Sequence, residues 1–449
     1  MSAVRVAARV SVPCAAACLV ALAACATFSD TILTTERSLA QQQPKIALAE
    51  YEKRPAASSD RVLNLMNKGM LLRMVGEYDQ STQALQEAKG LIEELRALSV
   101  REQALSVAVN DATKSFIGED FEQVMVNTYI ALNYLEQGQL DAARVEALQV
   151  DLLLREKEQS SPDSPYVEDA FARYLTGIIY EDEGEWSDAM IAYRKAYEAY
   201  ESQLKSFSVA VPESLKHDLI RLADRMGLRD EAKGYRQEFG ISDTLSESAL
   251  LQRGEIILTV HAGLAPTKRE RAVTLPNPAT GRLLKIALPQ YQARAQPLAY
   301  ARLTADSQAA TSSRVESITA IAEKSLEAEM PAITARAIAR MAVKDTAARA
   351  ASQSGGGGNN SSAGPLLGLA VNIAAVLTER ADTRSWFTLP GEIHLARLSL
   401  PPGEYKVKIE LHGRDQGVLD SRELNIALQK GEKKYVSRHW IPTNLEVRP

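Results

Sequence analysis

Residues Gly118–Val150 read GEDFEQVMVNTYIALNYLEQGQLDAARVEALQV. Bulky apolar side chains recur at helical spacing, at Phe121, Val124, Met125, Tyr129, Leu132 and Leu135, which predicts a helix. Gly138 ends it, because glycine accepts the left-handed conformation of a helix stop. Leu140, Ala143 and Ala147 open a second helix, and its small alanines let it lie close against the first. A helical pair of this kind cannot bury its own apolar face, so neighbours must stack on it.

The pattern around that turn is a small residue before a large one, a turn glycine, an apolar residue two positions on, and then alanine. Ala131, Tyr134, Gly138, Leu140 and Ala143 occupy those places. This is the logic of the tetratricopeptide (TPR) repeat. An earlier unit spans about residues 60–98, with Gly69, Leu72, Gly76, Tyr78, Leu85 and Ala88 in register and Ser81 in place of the usual alanine. A later one spans about 166–200, through Gly177, Tyr180, Gly184, Trp186, Ala189, Tyr193 and Ala196. A degenerate fourth unit carries Ala223, Gly227, Ala232 and Phe239. The turn glycines are unevenly spaced, so the repeats carry insertions. The aromatic residues of these units are assigned mainly to packing between helices. Tyr129, Tyr134, Tyr180 and Trp186 are the candidates for a partner-binding face.

The chain opens with a targeting pattern. Arg5 and Arg9 precede an apolar run from Val10 to Ala24 that ends in small residues before Cys25. Leu22-Ala23-Ala24-Cys25 resembles a bacterial lipoprotein signal, which implies removal of residues 1–24 and acylation of Cys25. Ala26, which is not aspartate, fits delivery to the outer membrane under that resemblance. Several acyl chains hold a protein far better than one, since each buried CH₂ adds about 0.8 kcal/mol. Cys14 and Cys18 fall in the signal, so the mature chain would have neither a disulfide nor a cysteine metal ligand. Loss of Arg5 and Arg9 moves the net charge from -5 to about -7, mildly acidic and without a basic patch for nucleic acid. Beyond the signal no apolar run reaches the roughly 20 residues of a spanning helix. Residues 25–44 read as a polar tether ahead of a helical repeat domain over 45–250.

Near Leu250 the pattern changes. Glu255–Ala262 (EIILTVHA) is rich in β-branched residues and predicts a strand. Further strands are expected at 272–275, 283–288, 298–303, 392–400, 405–411, 418–427 and 434–440, with turn signals at Pro401-Pro402-Gly403 and Lys430-Gly431. The fold class is therefore α+β and multidomain: a TPR-like α-solenoid, then a small β-sandwich from 251–310 and 383–449, with a helical hairpin inserted at 311–382. Within the insertion, 313–352 has a helical pattern and 353–363 is a Gly/Ser/Asn-rich linker. Gly364–Leu377 carries no charge and one polar residue, Asn372. It is too short to span a bilayer. It either packs on the sandwich and the preceding helix, forms a homo-oligomer or partner interface, or inserts shallowly in a membrane. Leu366, Leu367, Leu369, Val371 and Ile373 would make such contacts.

Catalysis finds no footing. The five histidines (His217, His261, His394, His412, His439) form no metal-binding spacing, and the chain lacks GxSxG, Walker-type and dinucleotide fingerprints. Glu119, Asp120 and Glu122 form a carboxylate cluster, but acidic residues at a helix start are expected as caps against the helix dipole. The expectation is a non-enzyme with no catalytic residues, no cofactor and no metal.

Taken together, Gly118–Ala147, GLAP at Gly263–Pro266 and ADTRSWFTLPGEIHLARLSLPPGEY at Ala381–Tyr405 resemble a family of bacterial TPR-repeat outer-membrane lipoproteins for which no activity is established. Asn127 departs from the histidine of that family, so no catalytic role is carried to it. The resemblance implies a lipid-anchored protein on the periplasmic side of the outer membrane. It would be a scaffold binding envelope proteins in support of peptidoglycan or outer-membrane assembly. The alternative is a cell-wall glycan or ligand-binding module acting through the sandwich.

Overall fold

The structure, a computed structural model, describes residues 27–443 apart from 56, 103–113, 161–163, 165, 243–246, 278–281 and 355–362. The signal at 1–24, Cys25 and most of the glycine-rich linker lie outside the described residues.

The helices in chain order are α1 (Phe28–Thr31), α2 (Leu33–Ala40), α3 (Pro44–Glu52), α4 (Arg61–Met74), α5 (Tyr78–Glu102), α6 (Asp120–Glu136), α7 (Leu140–Ser160), α8 (Ala170–Asp182), α9 (Trp186–Phe207), α10 (Glu213–Arg225), α11 (Arg229–Phe239) and α12 (Glu247–Leu250). Helices α4/α5, α6/α7, α8/α9 and α10/α11 are antiparallel hairpins stacked in order, a TPR-like array. Each hairpin turns at a glycine with positive φ: Gly76, Gly138, Gly184 and Gly227. The amide three residues past the end of each helix reaches back to close the turn, as in Gln139 N–H to the Tyr134 carbonyl and Glu185 N–H to Tyr180, both 2.8 Å. Close approach within a hairpin also needs glycine. A Cβ on Gly177 would stand 2.3 Å from the Tyr193 ring. Ser81, at the alanine position, is fully buried and donates to the Gly69 carbonyl at 2.7 Å.

Residues 27–44 are not a free tether. Helices α1 and α2 pack into the core, with Ile32 and Leu39 buried and Phe28 against Phe387, ring centroids 6.4 Å apart. Sequence reading missed this because two short helices with scattered apolar residues carry little periodicity.

Ten strands follow among the described residues: β1 (Gly254–Ala262), β2 (Thr267–Pro276), β3 (Leu283–Gln292), β4 (Leu298–Ala305), β5 (Gln308–Thr311), β6 (Ser313–Glu316), β7 (Glu392–Leu400), β8 (Gly403–Gly413), β9 (Val418–Leu428) and β10 (Lys433–Trp440). Two four-stranded sheets, ordered β10-β1-β7-β6 and β5-β4-β8-β9, face each other as the sandwich. Strand β1 is central: it pairs antiparallel with β7 and parallel with β10. Its even-numbered residues Ile256, Leu258 and Val260 fill the sandwich core with Leu303, Val407, Ile409 and Leu398. Its odd-numbered face, with Ile257, Thr259 and His261, turns to the helical array. A strand alternates faces, so one sequence serves two cores.

Strands β2 and β3 stay outside the sandwich as a separate ribbon. The ribbon lies on the inserted hairpin of α13 (Ile318–Ser354) and α14 (Ala363–Thr378). At 37 residues α13 is about 55 Å long. Residues 313–316, which read as helix, form strand β6 instead. Asn372, the polar residue of the apolar helix, clasps the β3 backbone: its Nδ2 donates to the Leu283 carbonyl at 2.8 Å and its Oδ1 accepts the Leu283 N–H at 3.1 Å.

Candidate functional site

The array has two sides, and the molecule uses them differently. The first helix of each hairpin is buried on nearly all its faces. In α6, thirteen consecutive residues from Phe121 to Asn133 are buried. A helix buried all round is read in sequence as apolar all round. Its inner side meets the β10-β1-β7-β6 sheet, which fills the face where a repeat array would hold a partner.

Charged residues stitch this seam. The Arg397 guanidinium on β7 donates to both carboxylate oxygens of Glu255 (2.8 and 2.7 Å) and to Asp218 of α10 (2.6 Å). Glu181 of α8 accepts from Arg221 and from the Tyr193 hydroxyl, and Lys433 of β10 lies 3.3 Å away. Burial by itself would raise the Glu181 carboxyl, but Arg221, Lys433 and Arg397 hold it well below the usual range. Buried pairs that satisfy each other are costly to break by halves, because the partner left behind is a charge without solvent.

At the second hairpin the seam turns aromatic. Tyr129 is fully buried, its hydroxyl 3.0 Å from His261 Nδ1 on β1. His439 of β10 stacks on His261 with centroids 4.5 Å apart. Burial, then His439 and Arg73, push His261 well below its ordinary value, so the imidazole is neutral. Arg73 donates to Asn133 and, at 2.6 Å, to Ser437 of β10.

The loop 381–389, returning from the hairpin to β7, is the third clasp. Trp386, Phe387 and Leu389 are buried, and the Trp386 N–H donates to Glu122 Oε1 at 2.7 Å. Glu122 Oε2 accepts the Glu119 N–H at 2.8 Å, so the carboxylate caps α6 as its position predicts. Burial first, then the neighbouring Glu119, push Glu122 up to about 7, against the pull of Lys268. Asp169 and Glu316 form an acidic pair between α8 and β6. Burial raises both, Glu316 well above the ordinary carboxylate range.

The other sequence candidates fall in different places. Tyr134 is half-buried and accepts from Gln86 Nε2 at 2.9 Å. Tyr180 is buried, and Trp186 lies half-buried beneath the Arg225 guanidinium, 3.8 Å from its ring centroid. On α14, Leu369 and Ile373 are exposed and Val371 is half-buried. The side chains of Leu366 and Leu367 lie outside the described residues. Among the described residues no group of three or more His, Cys, Asp or Glu side chains is arranged to hold a metal ion. No helix among them is long and apolar enough to cross a membrane.

The outer side is different in kind. The second helices expose apolar residues there: Val145, Leu148 and Leu152 make a stripe on α7. Beside it, α5 and α7 form the walls and α6 the floor of an open cleft of about 190 Å³. Sequence reasoning missed both the seam charges and the cleft. For the seam a signal existed: Arg73 and Arg221 each interrupt an apolar run of a first helix, and Glu181 closes one.

No protein-family model matches the sequence, and no curated protein matches it. Among solved structures the helical half is distantly similar to several proteins. MamA matches at 16% identity over 45% of this chain and 91% of its own, with a TM-score of 0.29. The apo form of RapI matches at 11% over 46% and 51%, TM-score 0.34. PilF of Pseudomonas aeruginosa matches at 20% over 46% and 76%, TM-score 0.28. The TPR-like character of the array rests on its own hairpins and turns.

Proposed function

We propose that this protein is a lipid-anchored binding scaffold of the bacterial envelope. It belongs by this reading with the TPR-repeat outer-membrane lipoproteins, held by acyl chains on Cys25 at the periplasmic side. It acts without catalysis, cofactor or metal, by recruiting envelope proteins to the membrane surface. The observation that carries the reading is the division of the array. Its inner face is occupied by the chain's own sandwich, while the outer faces of α5 and α7 present a cleft and an exposed apolar stripe. Helical arrays of this type bind partners more often than they do chemistry.

The test has two parts. Intact mass and membrane fractionation of the native protein beside a Cys25→Ser form should give a mature chain starting at acylated Cys25 in the outer-membrane fraction. A soluble chain with an unmodified start overturns the anchor. Proximity labelling from the native protein should then enrich envelope proteins over the Cys25→Ser control, and no enrichment overturns the scaffold.

A further inference from the structure

The cleft on the outer side is chemically lopsided. Its floor is Gln123 and Asn127, one helical turn apart on α6 and each more than nine-tenths buried. The nitrogen of each amide is tied to the helix backbone: Gln123 Nε2 donates to the Gly118 carbonyl at 3.2 Å and Asn127 Nδ2 to the Gln123 carbonyl at 3.5 Å. Those bonds orient both amides and leave both oxygens over. Among the described residues neither Gln123 Oε1 nor Asn127 Oδ1 has a hydrogen-bond partner. Buried acceptors without donors are costly, and a native protein that keeps two side by side has a use for them. The rim repeats the imbalance. Lys89 is engaged by Glu146 at 2.9 Å and Arg96 by Glu156, so the rim cations are matched. Glu93 makes no ion pair among the described residues.

The group this site lacks is therefore a cation rich in N–H donors. A guanidinium carries five N–H donors in one plane and no acceptor. Ile92, Leu152 and Leu153 line the walls and Val126 the floor beside the amides, where the methylene stem of such a side chain would lie. The volume is that of about six waters, enough for one long side chain. We propose that the cleft receives the side chain of a single arginine carried by a protein partner, its guanidinium against Gln123, Asn127 and Glu93. The partner chain itself covers the adjoining stripe of Val145, Leu148 and Leu152. This deepens the scaffold reading and rests on it for the source of the arginine.

The wall methyls are the reporters. The mature chain, with Ile, Leu and Val methyls labelled, is titrated with N-acetyl-arginine amide up to ~50 mM, since one side chain in a cleft of this size binds in the millimolar range. The methyls of Ile92, Val126, Leu152 and Leu153 should shift saturably. N-acetyl-norleucine amide, of similar length without charge or donors, should bind at least about tenfold more weakly. Glu93→Gln, a surface change that leaves the fold alone, should weaken arginine several-fold, and Asn127→Leu should weaken it about tenfold with methyls on the far sheet unmoved. The absence of a saturable shift, or equal response to norleucine, overturns the site. Free zwitterionic arginine binding at least about tenfold tighter than the capped residue overturns the protein source in favour of an amino acid ligand. The probes need no partner, so a protein that binds arginine but enriches no envelope protein loses the scaffold reading and keeps the cleft.

Discussion

The inner and outer sides of the helical array are built from the same hairpins and reach opposite ends. On the inner side, the buried Glu181 and Asp218 and the nearly buried Arg397 and Glu255 lie against a sheet and satisfy one another. On the outer side, Arg194 and Glu231 meet at 2.5 Å in an equally direct pair that water still reaches. The lesson is that a salt bridge has no fixed worth. Solvent decides it, because a partner left behind in the seam stays buried, whereas one left behind outside is rehydrated.

The largest effect should come from breaking the seam. Arg397→Ala takes from Glu255 its guanidinium partner and leaves Arg221 and Lys433 to offset three carboxylates in the seam. It should cost about 3–5 kcal/mol in chemical denaturation. Arg194→Ala on the outer side should cost no more than about 1 kcal/mol, and less at high salt. Equal losses from the two variants would mean that the sheet does not exclude water from the array, and the comparison would collapse.

Acidity sharpens the same contrast. Glu122 sits in the seam with its carboxyl pushed up to about 7, against an ordinary value near 4.5. Its folded value is raised, so the native state holds a proton that the unfolded chain releases between those two pH values. The stability it contributes is fully present below about 4.5 and lost as pH rises through 7. Glu122→Gln removes the charge but keeps one acceptor oxygen where the carboxylate offers two, to the Trp386 and Glu119 amides, a loss that does not vary with pH. Relative to the native protein it should become progressively more stable between pH 5 and 8, by on the order of a few kcal/mol at the upper end. His261 and His439 run the other way. Their folded values are lowered, so their contribution is present above about 6.5 and is lost as pH falls below it. A Glu122→Gln difference that stays flat with pH would place that carboxyl in water.

A smaller probe of the seam is Tyr129→Phe. It removes the hydroxyl bond to His261 and keeps the ring against Trp386, 6.2 Å away. The expected loss is about 1 kcal/mol, with about another 1–2 if the orphaned Nδ1 stays dry. No loss in thermal unfolding would mean that the tyrosine does not tie array to sheet.

How much of this was legible follows from range. The hairpins were readable because each rests on local spacing: apolar residues three and four apart, then a turn glycine such as Gly138. The strands of the sandwich were readable from β-branched runs such as Glu255–Ala262. What sequence could not give was which side of the array the sandwich covers. Tyr129 looked like a partner-binding residue because its ring recurs at the right spacing. Its partner, His261, lies 132 positions away and on another element. The ribbon of β2 and β3 was placed in the sandwich for a similar reason. Its strand pattern is local, whereas its attachment to α14 depends on Asn372 finding Leu283 across 89 residues. The cleft was invisible because its signature is a missing partner, and a missing partner is a property of the folded surroundings.

The smallest stability effect should come from the outer stripe, and it is the one that bears most on function. Leu148 is 40% exposed on α7, with Val145 and Leu152 on the same face. Exposed single apolar residues need no explanation, but a stripe beside an unfilled cleft is the composition of a covered surface. Leu148→Ser loses only the part of the side chain already covered in the free protein, so its stability should stay within about 1 kcal/mol of the native value. If a partner chain lies over α7, the same change should lower proximity labelling of envelope proteins several-fold while Arg194→Ala leaves it unchanged. A Leu148→Ser protein that unfolds early would show that the stripe is packed in the free molecule. One that keeps both its stability and its labelling would show that partners approach elsewhere, and the projecting hairpin of α13 and α14, with Leu369 and Ile373 exposed, would become the surface to probe.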